Sequence, residues 1–331
     1  MADPSEQKGT RETASRLAAH YSEDIKGKVI LTTGVSPGGL GAAFVNAIAP
    51  MHPAMLILAG LDPLETQKTA DHISKASPSV KIRTLQIDLS SLAAVRAAAE
   101  TVKGWTDVPH IDLLVNNAGI SAVPRTVTDE GFEKQLATNY LGPFLFTHII
   151  MSKILASEAP RIVNVGSDGH ILSPIRFDDI NFRDDSLYHT WMAYGQSKTA
   201  QMLTTISLAE KLGAKHNLSA FSVHPGAVTT HLVAHLDWEQ GYAEMSRTYR
   251  LLGLAQGWKK DFEFLTPDEG AATYVYAAFD PDIRAHNGAY LVKCRPADPW
   301  KDDLRAWATS PVEAEMLWKL TEKLIGQEFN Y

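Results

Sequence analysis

The sequence predicts an α/β fold built as a doubly wound parallel sheet. Apolar runs of strand length recur along the chain, and longer stretches with helical patterning lie between them. Most of the strand runs are apolar rather than alternating, as expected where helices cover both faces of a sheet. In order, the strands are Val29–Thr33, Met55–Ala59, Ile82–Ile87, Ile111–Val115, Ile162–Val165 and Ser219–Val223. The helical stretches between them are Ala42–Ala49, Glu65–Lys75, Leu92–Trp105, Gly131–Ser157 and Ala193–Leu212.

The two ends extend this pattern. Residues 1–10 are charged, small and aperiodic, which predicts disorder. Residues 11–22 predict a short amphipathic helix carrying Leu17, Ala18 and Tyr21. Thr266-Pro267-Asp268-Glu269 joins a capping residue, a first-turn proline and a capping-box glutamate ahead of an alanine-rich helix. Ser310-Pro311-Val312-Glu313 repeats the device before a C-terminal helix with Val312, Met316, Leu320 and Leu324 on one stripe, ending near Gly326. No linker or repeat divides the chain. The expected organisation is a tail and short helix over 1–24 and a single domain over 25–331, with a C-terminal helical extension from 296.

Composition narrows the function classes. The 331 residues are 45% apolar, enough for a substantial core, and carry a formal net charge of -7. That balance speaks against nucleic acid or an anionic membrane surface as partner. Cys294 is the sole cysteine, so no intrachain disulfide can form, and a reducing compartment is expected. No Cys/His spacing suggests a metal site. The N-terminus has no apolar segment of signal-peptide type, and no apolar run is long enough to span a bilayer. A cytoplasmic protein is the expectation.

Three features sit at predicted strand ends, where this architecture binds ligands. Thr33-Gly34-Val35-Ser36-Pro37-Gly38-Gly39-Leu40-Gly41 joins the first strand to a helix. Its glycines let the backbone turn tightly and approach a pyrophosphate, with the charge at the helix N-terminus. Asp88-Leu89-Ser90-Ser91 presents a carboxylate and an amide that suit an adenine or cap a helix. Asn116-Asn117-Ala118-Gly119 permits close approach of a ribose or forms an ordinary turn.

Further along, Tyr194 and Lys198 lie four residues apart, on one face of a helix. A neighbouring ammonium favours the phenolate and brings a tyrosine toward useful acid/base chemistry. Ser167 follows a strand and could hydrogen-bond a substrate oxygen. Asn139, in a long helix, could anchor a proton-relay water.

Together, in this order, these motifs resemble the short-chain dehydrogenase/reductase family over roughly residues 25–295; Pro225-Gly226 adds to the match. The resemblance implies a Rossmann-type fold and an NAD(P)-dependent oxidoreductase. It would interconvert a carbonyl and a secondary alcohol. It makes Tyr194 the acid/base, Lys198 the group that holds the ribose and lowers the tyrosine pKa, Ser167 the polariser of the carbonyl, and Asn139 the end of the relay. Gly34, Gly39, Leu40 and Gly41 would meet the phosphates. Asp88 and Leu89 would flank the adenine, and Asn116, Ala118 and Gly119 the ribose. Val228 and Thr230 would meet the carboxamide and phosphate. Val163-Asn164-Val165-Gly166-Ser167 with His170, the C-terminal extension and His224-Pro225-Gly226 resemble the retinol-dehydrogenase-like branch. His170 itself reads as a packed or capping residue.

Two departures stand out. The glycine loop is one residue longer than the usual pattern, with Pro37-Gly38 as a turn insertion. The second strand ends Gly60-Leu61-Asp62, with neither the arginine that pairs with a 2′-phosphate nor an acid at Gly60. Asp62 either binds the ribose or caps the next helix. The branch resemblance favours NADP(H), with NAD(H) left open. Residues 231–265, rich in apolar and aromatic side chains such as Trp238, Tyr242, Trp258 and Phe262, are expected to form a lid over a bulky apolar ketone. The resemblance implies a homodimer through long helices, a contact the extension could block. The rival reading is a catalytically silent dinucleotide-binding regulator.

Overall fold

The computed structural model describes residues 11–254 and 263–331. The expected disorder of residues 1–10, and Trp258 and Phe262 of the expected lid, lie outside the described residues. Eight strands form one sheet: β1 (Val29–Thr33), β2 (Met55–Gly60), β3 (Lys81–Gln86), β4 (Leu113–Asn116), β5 (Arg161–Val165), β6 (Ser219–His224), β7 (Tyr290–Val292) and β8 (Arg295–Pro296). Their order is β3-β2-β1-β4-β5-β6-β7-β8, parallel except for the antiparallel β7–β8 pair. β1, β4 and β5 are buried along their whole length, which is why they read as unbroken apolar runs. The sequence pattern missed β7 and β8, because strands of three and two residues leave no periodicity to read.

Apolar cores lie on both faces of the sheet. One packs the helices Ala14–His20, Leu40–Ile48 and Ala272–Phe279. The other packs Leu92–Gly104, Gly142–Ile149, Thr190–His216 and Pro311–Ile325. Both proline-marked helix starts form as expected: Thr266 and Glu269 close a capping box, and Ser310 accepts from the Glu313 amide.

Two expectations are corrected. The stretch Gly131–Ser157 is not one helix. It begins with a short turn at Lys134–Leu136, widens to a π turn at Ala137–Leu141 and then continues as Gly142–Ile149 and Met151–Ile154. Pro143 has no N–H for the carbonyl of Asn139, four residues back, so the regular ladder fails there. In the C-terminal helix, Val312 and Met316 are exposed, and the buried stripe is Ala314, Leu317, Trp318, Thr321 and Ile325. That face docks onto Gly142–Ile149: Trp318 meets Phe144 edge-on with ring centroids 5.2 Å apart, and Phe329 lies 4.7 Å from the His148 ring. Arg96 ties the end of this helix down through the Ile325 carbonyl at 3.1 Å.

Candidate active site

The strand order reverses between β1 and β4, and ligands in open α/β sheets bind where this happens, at the carboxyl ends of the strands. A cleft of about 510 Å³ runs along those ends. At one end it is lined by Ser36, Gly39, Leu40, Gly60, Leu61 and Asp62, and at the other by Ser167, Trp191, Tyr194 and Lys198. Leu89, Ala118, Gly119, Val228 and Thr230 line it between.

The glycine loop is shaped by its sequence. Gly39 donates to the Ser36 carbonyl at 3.1 Å, closing a turn with Pro37 and Gly38 at its centre. Gly38 has φ of +79°, as the third residue of a type II turn requires. The extra residue is therefore absorbed in a local turn. A Cβ on Gly41 would collide with the Gly34 carbonyl, so Gly41 lets the helix Leu40–Ile48 seat directly on the loop. Gly41 supports the loop from behind and does not line the cleft. Gly39 supplies no side-chain cap to this helix, which leaves first-turn amides for an anion. This backbone cradle fits the pyrophosphate of a dinucleotide.

Asp62 caps the helix Pro63–Ala76 through Oδ1, which accepts from the amides of Leu64 at 2.8 Å and Glu65 at 3.5 Å. It also lines the cleft, so capping and ribose contact are not exclusive. Asp88 lines the cleft while its Oδ1 accepts from the Ser90 amide and hydroxyl at 2.8 and 2.7 Å. Asn116 departs from expectation. Its Nδ2 donates to Thr147 Oγ1 at 3.1 Å and to Asn164 Oδ1 at 2.9 Å, inside the protein. The asparagine at the cleft is Asn117, whose amide donates to the carbonyls of Thr33 and Gly34 at 2.8 Å and braces the glycine loop. Successive strand residues face opposite ways, and the motif alone does not say which of the two asparagines faces the ligand.

At the other end, the helix Thr190–His216 carries Tyr194 and Lys198, both buried. The Lys198 ammonium lies 5.5 Å from the centre of the Tyr194 ring. It donates to the Val165 carbonyl at 2.8 Å and to Gln201 Oε1 at 3.1 Å. Burial pulls the Lys198 pKa down to about 7. Burial also pushes the Tyr194 phenol up to about 12; a hydrogen bond from Ser167 opposes this and the Asp168 charge adds to it. Burial acts against the charged form of both groups.

Asn139 sits in the π turn, with its amide engaged on Ile120 and on Ser197 Oγ at 2.8–2.9 Å. It holds Ile120 in the cleft wall. Its backbone oxygen, the natural seat for the expected relay water, accepts from Gln201 Nε2 at 2.7 Å. Gln201 escaped the sequence reading, although its place one turn after Lys198 on the same helix face was a signal. Asp168, next to Ser167, and His224, at the end of β6, were likewise missed and both line the cleft. His170 is fully buried, with Nδ1 2.8 Å from the Ser167 carbonyl; burial pulls its pKa down to about 4, which fits a packed histidine.

The expected lid contributes Leu232, Val233, Trp238, Met245 and Phe264 to the cleft. Met245 also packs in one cluster with Trp191 and Tyr194. No helix among the described residues is long and apolar enough to cross a membrane.

The family model for short chain dehydrogenases matches residues 28–175. A short-chain dehydrogenase/reductase of Penicillium roqueforti is 33% identical over 314 residues, covering 92% of this chain and 86% of the relative. Retinol dehydrogenase 11 of Homo sapiens is 30% identical over 303 residues, covering 91% and 87%. Among solved structures, an uncharacterized protein from Mycobacterium Paratuberculosis aligns with a TM-score of 0.69 at 26% identity, over 97% of this chain and 100% of that one. An NADPH-bound carbonyl reductase from chicken fatty liver shares the fold, with a TM-score of 0.58 at 19% identity over 82% of this chain and 99% of that one. The chain belongs to the short-chain dehydrogenase/reductase family, in its retinol-dehydrogenase-like branch, and is an oxidoreductase acting on CH–OH groups.

Proposed function

We propose that the protein interconverts a bulky apolar secondary alcohol and its ketone, with Tyr194 as the acid/base. The observation that carries this is the buried Tyr194/Lys198 pair on one helix, lining the same cleft as Ser167. Bound NAD(P) supplies or accepts the hydride. Lys198, held by Val165 and Gln201, keeps one ammonium hydrogen for a ribose hydroxyl. Ser167 orients the substrate oxygen, and Tyr194 gives or takes its proton. Leu172, Trp191, Trp238 and Met245 exclude water from the reacting carbon. The described residues of the stretch, 231–254 and 263–265, act as the cover, part of a single domain.

Gly39, Leu40, Asp62, Asp88, Leu89, Ala118, Gly119, Val228 and Thr230 hold the cofactor. The branch resemblance favours NADP(H), whereas the ribose end favours NAD(H). Among the described residues lining the cleft, Lys198 is the sole lysine or arginine, and it stands at the catalytic end. A 2′-phosphate beside Leu61 would meet the Asp62 carboxylate and no cation. Tighter NADH binding is therefore the outcome this geometry supports. With the C-terminal helix over Phe144 and His148, we read the protein as acting without a dimer through that face. The single cysteine is consistent with a cytoplasmic location.

The test is a nicotinamide-fluorescence titration with NADH and NADPH, then turnover of 1-tetralol, 2-decanol and cyclohexanol and their ketones. Binding without turnover of any member would favour a silent regulator. Protection of 231–265 from hydrogen exchange without ligand would count against a mobile lid.

A further inference from the structure

Three carboxylates line the cleft among its described residues. Asp62 and Asp88 stand at the ribose and adenine end, and Asp168 stands beside Ser167. Transfer of a hydride and a proton at Tyr194 gives Asp168 no task. Its charge pushes the Tyr194 phenol up, so it works against ionisation of the acid/base. It is nevertheless close to the reacting groups. A Cβ on Gly169 would meet Tyr194 Cε1 at 2.7 Å and Ser167 Oγ at 3.3 Å, so ring and hydroxyl border one small space, and Ser167 Oγ donates to Asp168 Oδ1 at 3.1 Å.

The other oxygen faces a histidine. Asp168 Oδ2 lies 3.8 Å from His224 Nε2, beyond hydrogen-bond range. The His224 ring is fixed at its far side, where Nδ1 accepts from the Asp168 amide at 3.2 Å. A backbone N–H can only donate, so Nδ1 carries the lone pair and Nε2 carries the hydrogen. A donor and an acceptor thus stand 3.8 Å apart, on two residues that both line the cleft and whose side chains are 19% and 38% exposed. An oxygen about 2.8 Å from each would bridge them. The bridging group must accept from Nε2–H and donate to the carboxylate. A hydroxyl does both. A carbonyl or ether only accepts, an ammonium only donates, and a carboxylate would be repelled by Asp168.

We propose that Asp168 and His224 together bind a hydroxyl group of the substrate, so that the ketone or alcohol turned over is a largely apolar molecule with one hydroxyl besides the reacting oxygen. The specificity pair rests on the oxidoreductase reading, with Ser167 on the reacting oxygen. Because Ser167 and Asp168 are neighbours bonded to each other, the second hydroxyl lies near the reacting carbon, as two positions on one ring would. Leu172, Trp191, Trp238 and Met245 then enclose the apolar remainder.

The experiment measures kcat/KM for reduction of 1-tetralone and cyclohexanone carrying either a hydroxyl or a methyl group at carbon 2 or carbon 4. The methyl group has similar size and makes no hydrogen bond. The unsubstituted protein should favour hydroxyl over methyl by about tenfold or more at one of the two positions, the value of a hydrogen bond to a charged group. Asp168→Ala removes the acceptor and His224→Phe the donor, and each should bring the ratio to within about twofold of one. Asp168→Asn keeps an acceptor oxygen without the charge and should hold an intermediate ratio. The ratio is taken within each variant, so a structural defect that slows both substrates alike does not move it. A parent ratio within twofold at every position, or a ratio that survives in both Asp168→Ala and His224→Phe, overturns the hydroxyl site and leaves the oxidoreductase reading standing. Activity on 2-decanone with none on any hydroxylated ring has the same meaning. A cofactor-bound parent that reduces neither the ring ketones nor 2-decanone overturns both.

Discussion

At the ribose and phosphate end of the cleft the walls are mostly backbone. Gly34 and Gly41 let loop and helix meet, Gly38 turns the loop, and the helix Leu40–Ile48 offers its amides. At the catalytic end the walls are side chains locked to one another: Lys198 to Gln201, Gln201 to Asn139, Asn139 to Ser197, Ser167 to Asp168. The backbone end offers amide dipoles at a helix N-terminus with no side-chain cap. The catalytic end stores its chemistry as burial, which drives the Tyr194 pKa up and the Lys198 pKa down. Burial favours the neutral form of both groups. Substitutions at the two ends should therefore separate binding from turnover.

The largest effect is expected from Tyr194→Phe. Removing the proton donor should lower kcat on the order of 10³-fold while NADH fluorescence titrates unchanged. Equal losses in both would mean that Tyr194 holds the cofactor rather than the proton. Gly41→Ala is the counterpart at the backbone end. Its methyl group meets the Gly34 carbonyl, so the helix must lift by a few tenths of an ångström or more. A strain of about 2 kcal/mol should weaken cofactor binding roughly thirtyfold, with kcat at saturating cofactor little changed.

The same contrast explains what the sequence revealed. Where geometry needs a residue type, the letter shows it: Gly38 at the positive-φ turn, Gly41 at the close approach, and Tyr194 and Lys198 one helical turn apart. Where function comes from which way a side chain points, the letters are ambiguous. Asn116 and Asn117 are adjacent and identical, and only the fold shows that Asn116 points inside while Asn117 lines the cleft. Gln201 is an ordinary helical glutamine until Pro143, on another helix, frees the carbonyl it needs. The C-terminal stripe came out in part: Leu320 and Leu324 pack against the core, but Val312 and Met316 are exposed, and Ala314, Leu317 and Trp318 are buried instead.

A medium effect is expected at Leu61, which is 65% exposed beside Asp62. Leu61→Arg would place a guanidinium where a 2′-phosphate would lie. The ratio of NADPH to NADH dissociation constants should fall about tenfold, the value of one charge-assisted contact near the surface. An unchanged ratio would move the discriminating contact elsewhere in the loop.

Asp62 gives the smallest and most diagnostic change, because it has a foot in both structure and recognition. Its Oδ1 caps the helix Pro63–Ala76, a role asparagine fills equally well. Asp62→Asn should therefore leave thermal stability unchanged. It removes a negative charge from the ribose end, so NADPH should bind a few-fold tighter and NADH no tighter. Asp62→Ala removes cap and charge together and should cost about 1 kcal/mol of stability, seen as a lower Tm. If both variants improved NADPH binding equally while only alanine destabilised the fold, capping and discrimination would be separable functions of one carboxylate. If asparagine left NADPH binding unchanged, Asp62 would be a cap alone, and the selectivity of the backbone end would rest on its shape rather than on any charge.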